Sequence, residues 1–482
     1  MHRVDLNRRR VVALRIVAYS ITLLLTLITT VVLLYVALGY RFDKAGHVTR
    51  SGLLLVDNQP EAGAVFINGV QKDSAAPSRF VLPAGNYQLN LKLKGYKEWS
   101  KQVSIAASGV REVAYPILLP EKLNTKQLLE FSTPELVSQS LNRKLLLTHV
   151  ANAASFELYT LDPKAPKQTN LPLPSAIKRE NGQFGSFKVI EWALNNKQVL
   201  LEQTLPSGLT QLISYDVTRP DEAVVVNALY GDSTPSDPHY IGGDTEQIYG
   251  LNNGVLSRYS LTENNTISML ENIRSYQPYS DDTILFDRSA AQASEVGIWQ
   301  NKAITIVQKS ALADAPTLLK YANYDGDYYF VIAQPTIDKV TIYRNPLKKP
   351  ILAKQLPLTS FTFANTQKLD FSDSAQFILV QNGKTFVTYD LNDLLAYRVT
   401  LPFEQLDGST LSWMDSAHIQ AQAADGKVYL IEYDGQNQQA LVTSRANTRL
   451  FFANNYEHLY QLIDQQDAKT KLSSVSLVAG KN

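Results

Sequence analysis

Three patterns of apolar and polar positions follow one another along the chain. The first is an unbroken apolar run, IVAYSITLLLTLITTVVLLYVAL, 23 residues from Ile16 to Leu38 without a charge. At about 1.5 Å per residue a helix of that length spans a hydrocarbon core of roughly 30 Å. The second is a set of short period-two alternations between residues 52 and 119, and period two predicts half-buried strands. The third, from residue 131 to the end, is a longer and looser succession of apolar strands, four of them introduced by an aromatic residue. Helical periodicity is scarce after the first run, so the body is expected to be all-β.

Charge orients the apolar run. Arg3, Arg8, Arg9, Arg10 and Arg15 precede it, whereas only Arg41, Lys44 and Arg50 follow closely. Basic residues stay on the cytoplasmic side, so Arg8, Arg9, Arg10 and Arg15 are read as topology determinants. This predicts a cytoplasmic basic arm (1–15), a transmembrane helix (16–38), a juxtamembrane linker (39–51) and an extracytoplasmic remainder (39–482). A cleaved signal peptide is the competing reading, with small residues at Ala37 and Gly39. Its apolar region would, however, exceed the usual 7–15 or so residues. Ser20, Thr22, Thr26, Thr29 and Thr30 could hydrogen-bond across helices, which leaves room for an assembly factor acting through its span.

In the second region the alternation falls on Ala64 and Phe66, Phe80 and Leu82, Leu89, Leu91 and Leu93, Val103 and Ile105, Val113 and Tyr115. Asn68-Gly69, Pro83 to Asn86 and Lys94-Gly95 punctuate the strands, and Asn-Gly suits a tight hairpin because both residues tolerate positive φ. These features describe a small β-sandwich. The order Pro60-Glu61, Gly63-Ala64, VFING, AAP, LPAGNY, LKGYKEW resembles the PEGA domain over roughly Gly52 to Leu119. The chain departs from that pattern in Ala62 and in Pro83-Ala84, neither of which breaks the alternation. The resemblance implies an extracytoplasmic β module of bacterial surface proteins, linked to envelope or carbohydrate contact, without catalytic residues.

After a linker (120–130), four stretches share a texture: WALNNKQVLLE from Trp192, FSDSAQFILVQ from Phe371, WMDSAHIQAQA from Trp413 and FANNYEHLYQL from Phe452. The last three begin 42 and 39 residues apart. Several short strands per unit of that period predict propeller blades. Weaker copies from Glu135, Ile241, Arg274 and Pro316 bring the total to seven or eight blades over 131–482, with Asn382-Gly383 and Asp425-Gly426 at hairpin tips. Two β-sandwiches in tandem are the structural rival.

Composition then narrows the chemistry. There is no cysteine, which excludes disulfides, thiolate nucleophiles and Cys-ligated metals. The chain carries a net charge of +1, and the arm 1–15 alone accounts for +4, so the remainder is mildly acidic. Phosphate binding needs a concentrated basic surface, so nucleic acid is not an expected partner. The six histidines show no metal-ligand spacing, and no Gly-x-Ser-x-Gly elbow occurs. NGKT at Asn382 to Thr385 lacks the first glycine of a phosphate loop and reads as a hairpin. NYDGDYY from Asn323 begins like a calcium loop with Asn323, Asp325 and Asp327, but Gly326 stands two positions early. No catalytic residue, cofactor or metal is expected.

The remaining candidates are aromatic. Tyr276, Tyr279, Tyr321, Tyr324 and Tyr328, with Asp325, are the binding residues this reading selects, because exposed tyrosines stack on sugar faces while their hydroxyls hydrogen-bond. Alternate tyrosines packed between blades are the competing interpretation. The expected function is a membrane-anchored binding or scaffold protein of the bacterial cell envelope, contacting a glycan or protein partner without catalysis. A tethered propeller hydrolase or lyase acting on envelope polysaccharide is the alternative, distinguished by carboxylates with a tyrosine or histidine lining the central funnel.

Overall fold

A computed structural model describes residues 3–37, 40–42, 48–229, 234–291, 293–311, 315–348, 356–446, 448 and 450–480. One helix, Arg3–Ala37, opens the chain, and its segment Val11–Tyr35 is long and apolar enough to cross a membrane. The side chains of Arg8, Arg9 and Arg10 lie outside the described residues, as do Leu38 and Gly39, while Arg15 is exposed. The hydroxyls of Thr22, Thr26 and Thr30 donate to the carbonyls of Ala18, Thr22 and Thr26 at 2.9, 2.8 and 2.8 Å. Each is thus satisfied within its own helix, as threonines in apolar helices commonly are. The chain divides into two compact units, with the boundary between residues 122 and 123.

In the first unit two four-stranded sheets face each other. Val48–Val56 is flanked by Tyr40–Phe42, Ser78–Pro83 and, in parallel, Val110–Val113; the second sheet runs Val70–Asp73, Ala64–Ile67, Gly85–Lys92, Trp99–Ile105. Leu54, Val65, Leu89, Leu91, Val103 and Val113 fill the space between them, with Trp99 edge-on to Tyr115 at 6.4 Å. Asn68 and Gly69 adopt φ of 49° and 76°, the paired positive values of a type I′ hairpin. Gly52 is required for a different reason: a Cβ there would stand 2.3 Å from the Ala106 carbonyl oxygen. In Ala64–Ile67 the buried residues are Val65 and Ile67, while Phe66 is half-buried under the Lys92 ammonium. All four residues of that strand are apolar, so alternation alone did not fix which face turns inward.

The second unit contains, among the described residues, eight four-stranded antiparallel sheets. They are blades 1 to 8: 136–172, 186–225, 236–270, 273–311, 318–362, 368–400, 412–443 and 451–476. In blades 1 to 7 the strands run A to D in chain order, and the successive A strands of blades 1 to 6 lie beside one another at the centre. Apolar clusters fill the joints, as where Leu147, Phe156 and Phe187 join Ile213 and Tyr215 between blades 1 and 2. Leu146 and Tyr159 of blade 1 pack against Phe451, Tyr460, Leu462 and Leu472 of blade 8, which closes the ring. The fold is therefore a propeller with eight blades, and the tandem-sandwich alternative fails.

The structure differs from the sequence reading at 120–130. Blade 8 supplies only three strands from its own stretch, and Asn124–Ser132 completes it as strand D, pairing from Ser132↔Lys469 to Asn124↔Ser476. What read as a linker is the strand that locks the ring. The recurrent aromatic stretches also acquire a position: Trp192, Phe371, Trp413 and Phe452 each end strand A, just before the A–B turn.

Candidate functional site

Strand A is the innermost strand of each blade, so its side chains and the A–B turn after it build the centre of the ring. A polar tie joins every neighbouring pair. Trp192 Nε1 donates to Ser138 Oγ at 2.9 Å, Glu191 meets His239 at 2.9 Å, and the Tyr276 hydroxyl donates to the Asp237 carbonyl. Ser275 Oγ donates to the Thr317 carbonyl at 2.7 Å, and Lys320 faces Asp370 at 3.7 Å. Lys368 Nζ reaches the Leu411 carbonyl at 2.5 Å, Tyr456 that of Met414 at 3.2 Å, and Gln139 that of Phe452 at 3.2 Å. The belt is complete around all eight joints.

One residue reaches past its neighbours. Arg143, in the A–B turn of blade 1 at φ 64°, donates to Asp373 of blade 6 at 3.1 Å and to the Met414 carbonyl of blade 7 at 2.7 Å. Its guanidinium also lies over the Tyr456 ring of blade 8, 4.7 Å from the centroid. Four blades thus meet on one cation. Burial, with Asp415 and Asp370 nearby, raises the Asp373 carboxyl above the usual range even though Arg143 opposes it. Asp415 goes the other way: burial would raise it, but His418, 2.9 Å away, and the amides of Ala417 and His418 outweigh that and hold it low.

A second electrostatic group sits between blades 2 and 3. His239 contacts Glu191 at 2.9 Å and Asp237 at 3.2 Å, with its ring 5.8 Å from Tyr276. Burial favours the neutral imidazole, yet the two carboxylates prevail and its pKa is pushed up to about 9. Among the described residues no cluster of histidine, aspartate and glutamate is arranged to hold a metal ion.

The tyrosines chosen from sequence separate by strand parity. In blade 5, Asn323 pairs with Tyr328 and Tyr321 with Phe330, which places Tyr321 and Tyr328 on one face and Tyr324 on the other. Tyr321 and Tyr328 stack at 5.5 Å and 17°, and Tyr279 from blade 4 stands edge-on to them at 4.8 and 6.4 Å. Tyr279 and Tyr328 are 39% and 38% exposed, so the trio is an open aromatic surface across the joint of blades 4 and 5. Tyr276 is buried, and its hydroxyl serves the blade tie described above. Tyr324 packs against the joint of blades 5 and 6. Asp325 is exposed at φ 49° and forms the two-residue turn with Gly326 at φ 78°. Asp327 is committed to Arg344 and Asn345, so NYDGDYY is a hairpin in which one of the two carboxylates is already paired. Sequence did not pick out Arg143, named His239 only as one of six histidines without metal-ligand spacing, and named Asp373 only as a carboxylate whose distant partner it could not identify; apart from Asp237 beside His239, the partners described here lie far off in the chain.

Known proteins place these units in context. Residues 51–117 match the PEGA domain family. No curated protein sequence matches the chain. Among solved structures it is similar to the C-terminal WD40 domain of Sif2, at 12% identity and TM-score 0.48, over 74% of this chain and 99% of that one. It is also similar to BamB from Moraxella catarrhalis, at 12% identity and TM-score 0.45, over 73% and 99%. A third is the computationally designed Ika8 protein, at 10% identity and TM-score 0.45, over 72% and 98%. The propeller assignment itself rests on the strand pairing.

Proposed function

We propose that this chain is a membrane-tethered extracytoplasmic binding protein of the bacterial cell envelope, whose propeller holds a glycan or protein partner without making or breaking bonds. The Arg3–Ala37 helix supplies the anchor in this reading, and the PEGA unit that follows it in the chain supplies a contact module. The observation that carries the proposal is the Tyr279, Tyr321 and Tyr328 surface. Large aromatic side chains left open on a folded face are the residues through which sugars and protein partners are held. The test is binding of the purified full chain, in detergent micelles, to peptidoglycan and envelope polysaccharide. Saturable binding that the double variant Tyr279→Ala/Tyr328→Ala weakens at least tenfold, with the ligand recovered intact, supports it. Undiminished binding by that variant, or release of fragments, overturns it.

A second reading is a hydrolase or lyase, and one observation favours it. Asp373 and Asp415 have carboxyls displaced in opposite directions beside Tyr456 and His418, and such divergence is how acid and base roles are assigned. Against it, Arg143 engages Asp373, and Asp415 spends its oxygens on His418 and two amides. Fragment release abolished in Asp373→Asn would establish the enzyme and retire the binding proposal.

A further inference from the structure

The joint between blades 8 and 1 holds a cavity of about 360 Å³. Strand pairing explains what lines it. His458, Ser476 and Asn124 form one row across three strands of blade 8, and Tyr460, Ser474 and Lys126 form the next. Period two puts both rows on the same face. Farther along that face come Leu462, Leu472 and Leu129, which pack on blade 1, so the joint is apolar at its middle and polar at this end. Pro163, from the C–D loop of blade 1, forms the opposite wall.

The chemistry of the lining is nearly all two-way. Ser474 Oγ stands 3.4 Å from His458 Nδ1, and its hydroxyl, the Asn124 amide and an imidazole can each donate or accept, whereas Ser476 Oγ already donates to the Val478 carbonyl at 2.9 Å and accepts from the Val478 amide at 3.2 Å. Lys126 adds one cation, its ammonium 3.4 Å from the Lys164 carbonyl. A ligand rich in hydroxyls, which also donate and accept, matches such a wall better than a bare anion or an apolar group. The volume falls near the lower end of ligand-sized clefts, roughly 300–1,000 Å³. An independent observation points the same way. The Tyr460 hydroxyl, in the second row but completely buried behind the residues that line the cavity, has no hydrogen-bond partner among the described residues. Leaving such a group unpaired costs about 1–3 kcal/mol. It lies close to Asp162, the neighbour of Pro163, and burial together with that carboxylate raises the phenol to about 12.

We propose that this seam is a second binding site, separate from the tyrosine surface, for one hydroxyl-rich unit of monosaccharide size, held by Ser474, Asn124 and Lys126, with the Tyr460 hydroxyl behind them uncovered as the site fills. Because strand D of blade 8 forms one wall, an occupant bridges the closing strand, the blade it completes and blade 1. Ligand binding and ring closure are then thermodynamically linked.

The experiment is titration of the full chain in detergent micelles with N-acetylglucosamine, mannose and glucuronate, alongside the intact envelope polysaccharide, following heat of binding and melting temperature. The expected result is saturable binding of at least one sugar with a rise in melting temperature. Tyr460→Phe should melt no lower than the unmodified protein, since the removed hydroxyl had no partner, yet bind about three- to tenfold more weakly. Lys126→Met, at an exposed position, gives a second test free of folding effects. A response to the polysaccharide but to no free sugar overturns the monosaccharide-sized site. So does sugar binding unchanged in both seam variants. Loss of sugar binding in Tyr279→Ala/Tyr328→Ala alone would assign it to the tyrosine surface and overturn the seam site, whereas its retention there leaves the seam proposal standing whatever becomes of the proposed function.

Discussion

Blades 1 to 7 are each drawn from one continuous stretch of about forty-five residues or fewer, whereas blade 8 joins Phe451–Ser476 to a strand more than three hundred residues earlier. The contiguous blades can form by local hairpin closure, with little loop entropy to overcome. Blade 8 can be completed only when the whole ring is in place. The contrast teaches that stability in this propeller is shared among local units, while cooperativity depends on one long-range seam.

Breaking the seam should produce the largest effect. Consecutive prolines at Leu128 and Leu129 remove at least one ladder hydrogen bond whatever the strand's parity, along with two half-buried leucines. The expected cost is roughly 5 kcal/mol or more, with denaturant unfolding splitting into separate steps. A single cooperative transition at the original midpoint would show that the seam does not couple the blades.

Phe156→Ala tests a contiguous joint instead. Phe156 is fully buried with Phe187 and Tyr215 at 5.2 and 5.1 Å, so its removal should cost about 3–5 kcal/mol. The transition should shift in midpoint without splitting, measured by the same denaturant titration.

His239 sharpens the comparison through pH. Its folded pKa of about 9 exceeds the ordinary histidine value of 6.5, so its contribution is fully present below about 6.5 and disappears as pH rises through 9. Stability should therefore decline across that window by an amount on the order of 3 kcal/mol, and His239→Gln should flatten the decline. The readout is melting temperature against pH for the two proteins. The smallest expected effect is that of Tyr328→Ala, about 1 kcal/mol at most, because the ring is exposed and little beyond its stack on Tyr321 holds it. Thermal unfolding of the variant beside the unmodified protein checks it.

These regions also differ in how far sequence exposed them. The Asn68-Gly69 hairpin and the aromatic ends of strand A were readable because the cause is local: a backbone requirement in one case, a repeated packing position in the other. The hairpin around Gly383 was one residue off. Asn382 still pairs with Thr385, so the turn is Gly383-Lys384 with glycine first. Strand Asn124–Ser132 was unreadable as a blade element, since its partner is remote and only one edge of it is paired. The tyrosines were half legible. Tyr276 and Tyr279 look alike in sequence, but their odd separation puts them on opposite faces of the strand, Tyr276 buried in the joint with blade 3 and Tyr279 open beside blade 5. Arg143 carried no local mark at all, because its importance arises only when blades 1, 6, 7 and 8 converge.

The place where the chain enters the propeller has a mechanical consequence. Residues 1–122 are joined covalently to it through Leu123, and the next residue is already the first of the closing strand. Any tension between the apolar helix and a partner held on the blades is therefore delivered directly to Asn124, at the end of the strand that pairs with Ser476. A pull on the tether would act first on the seam, not on a blade core, and the ring's lock would be the element that feels the load.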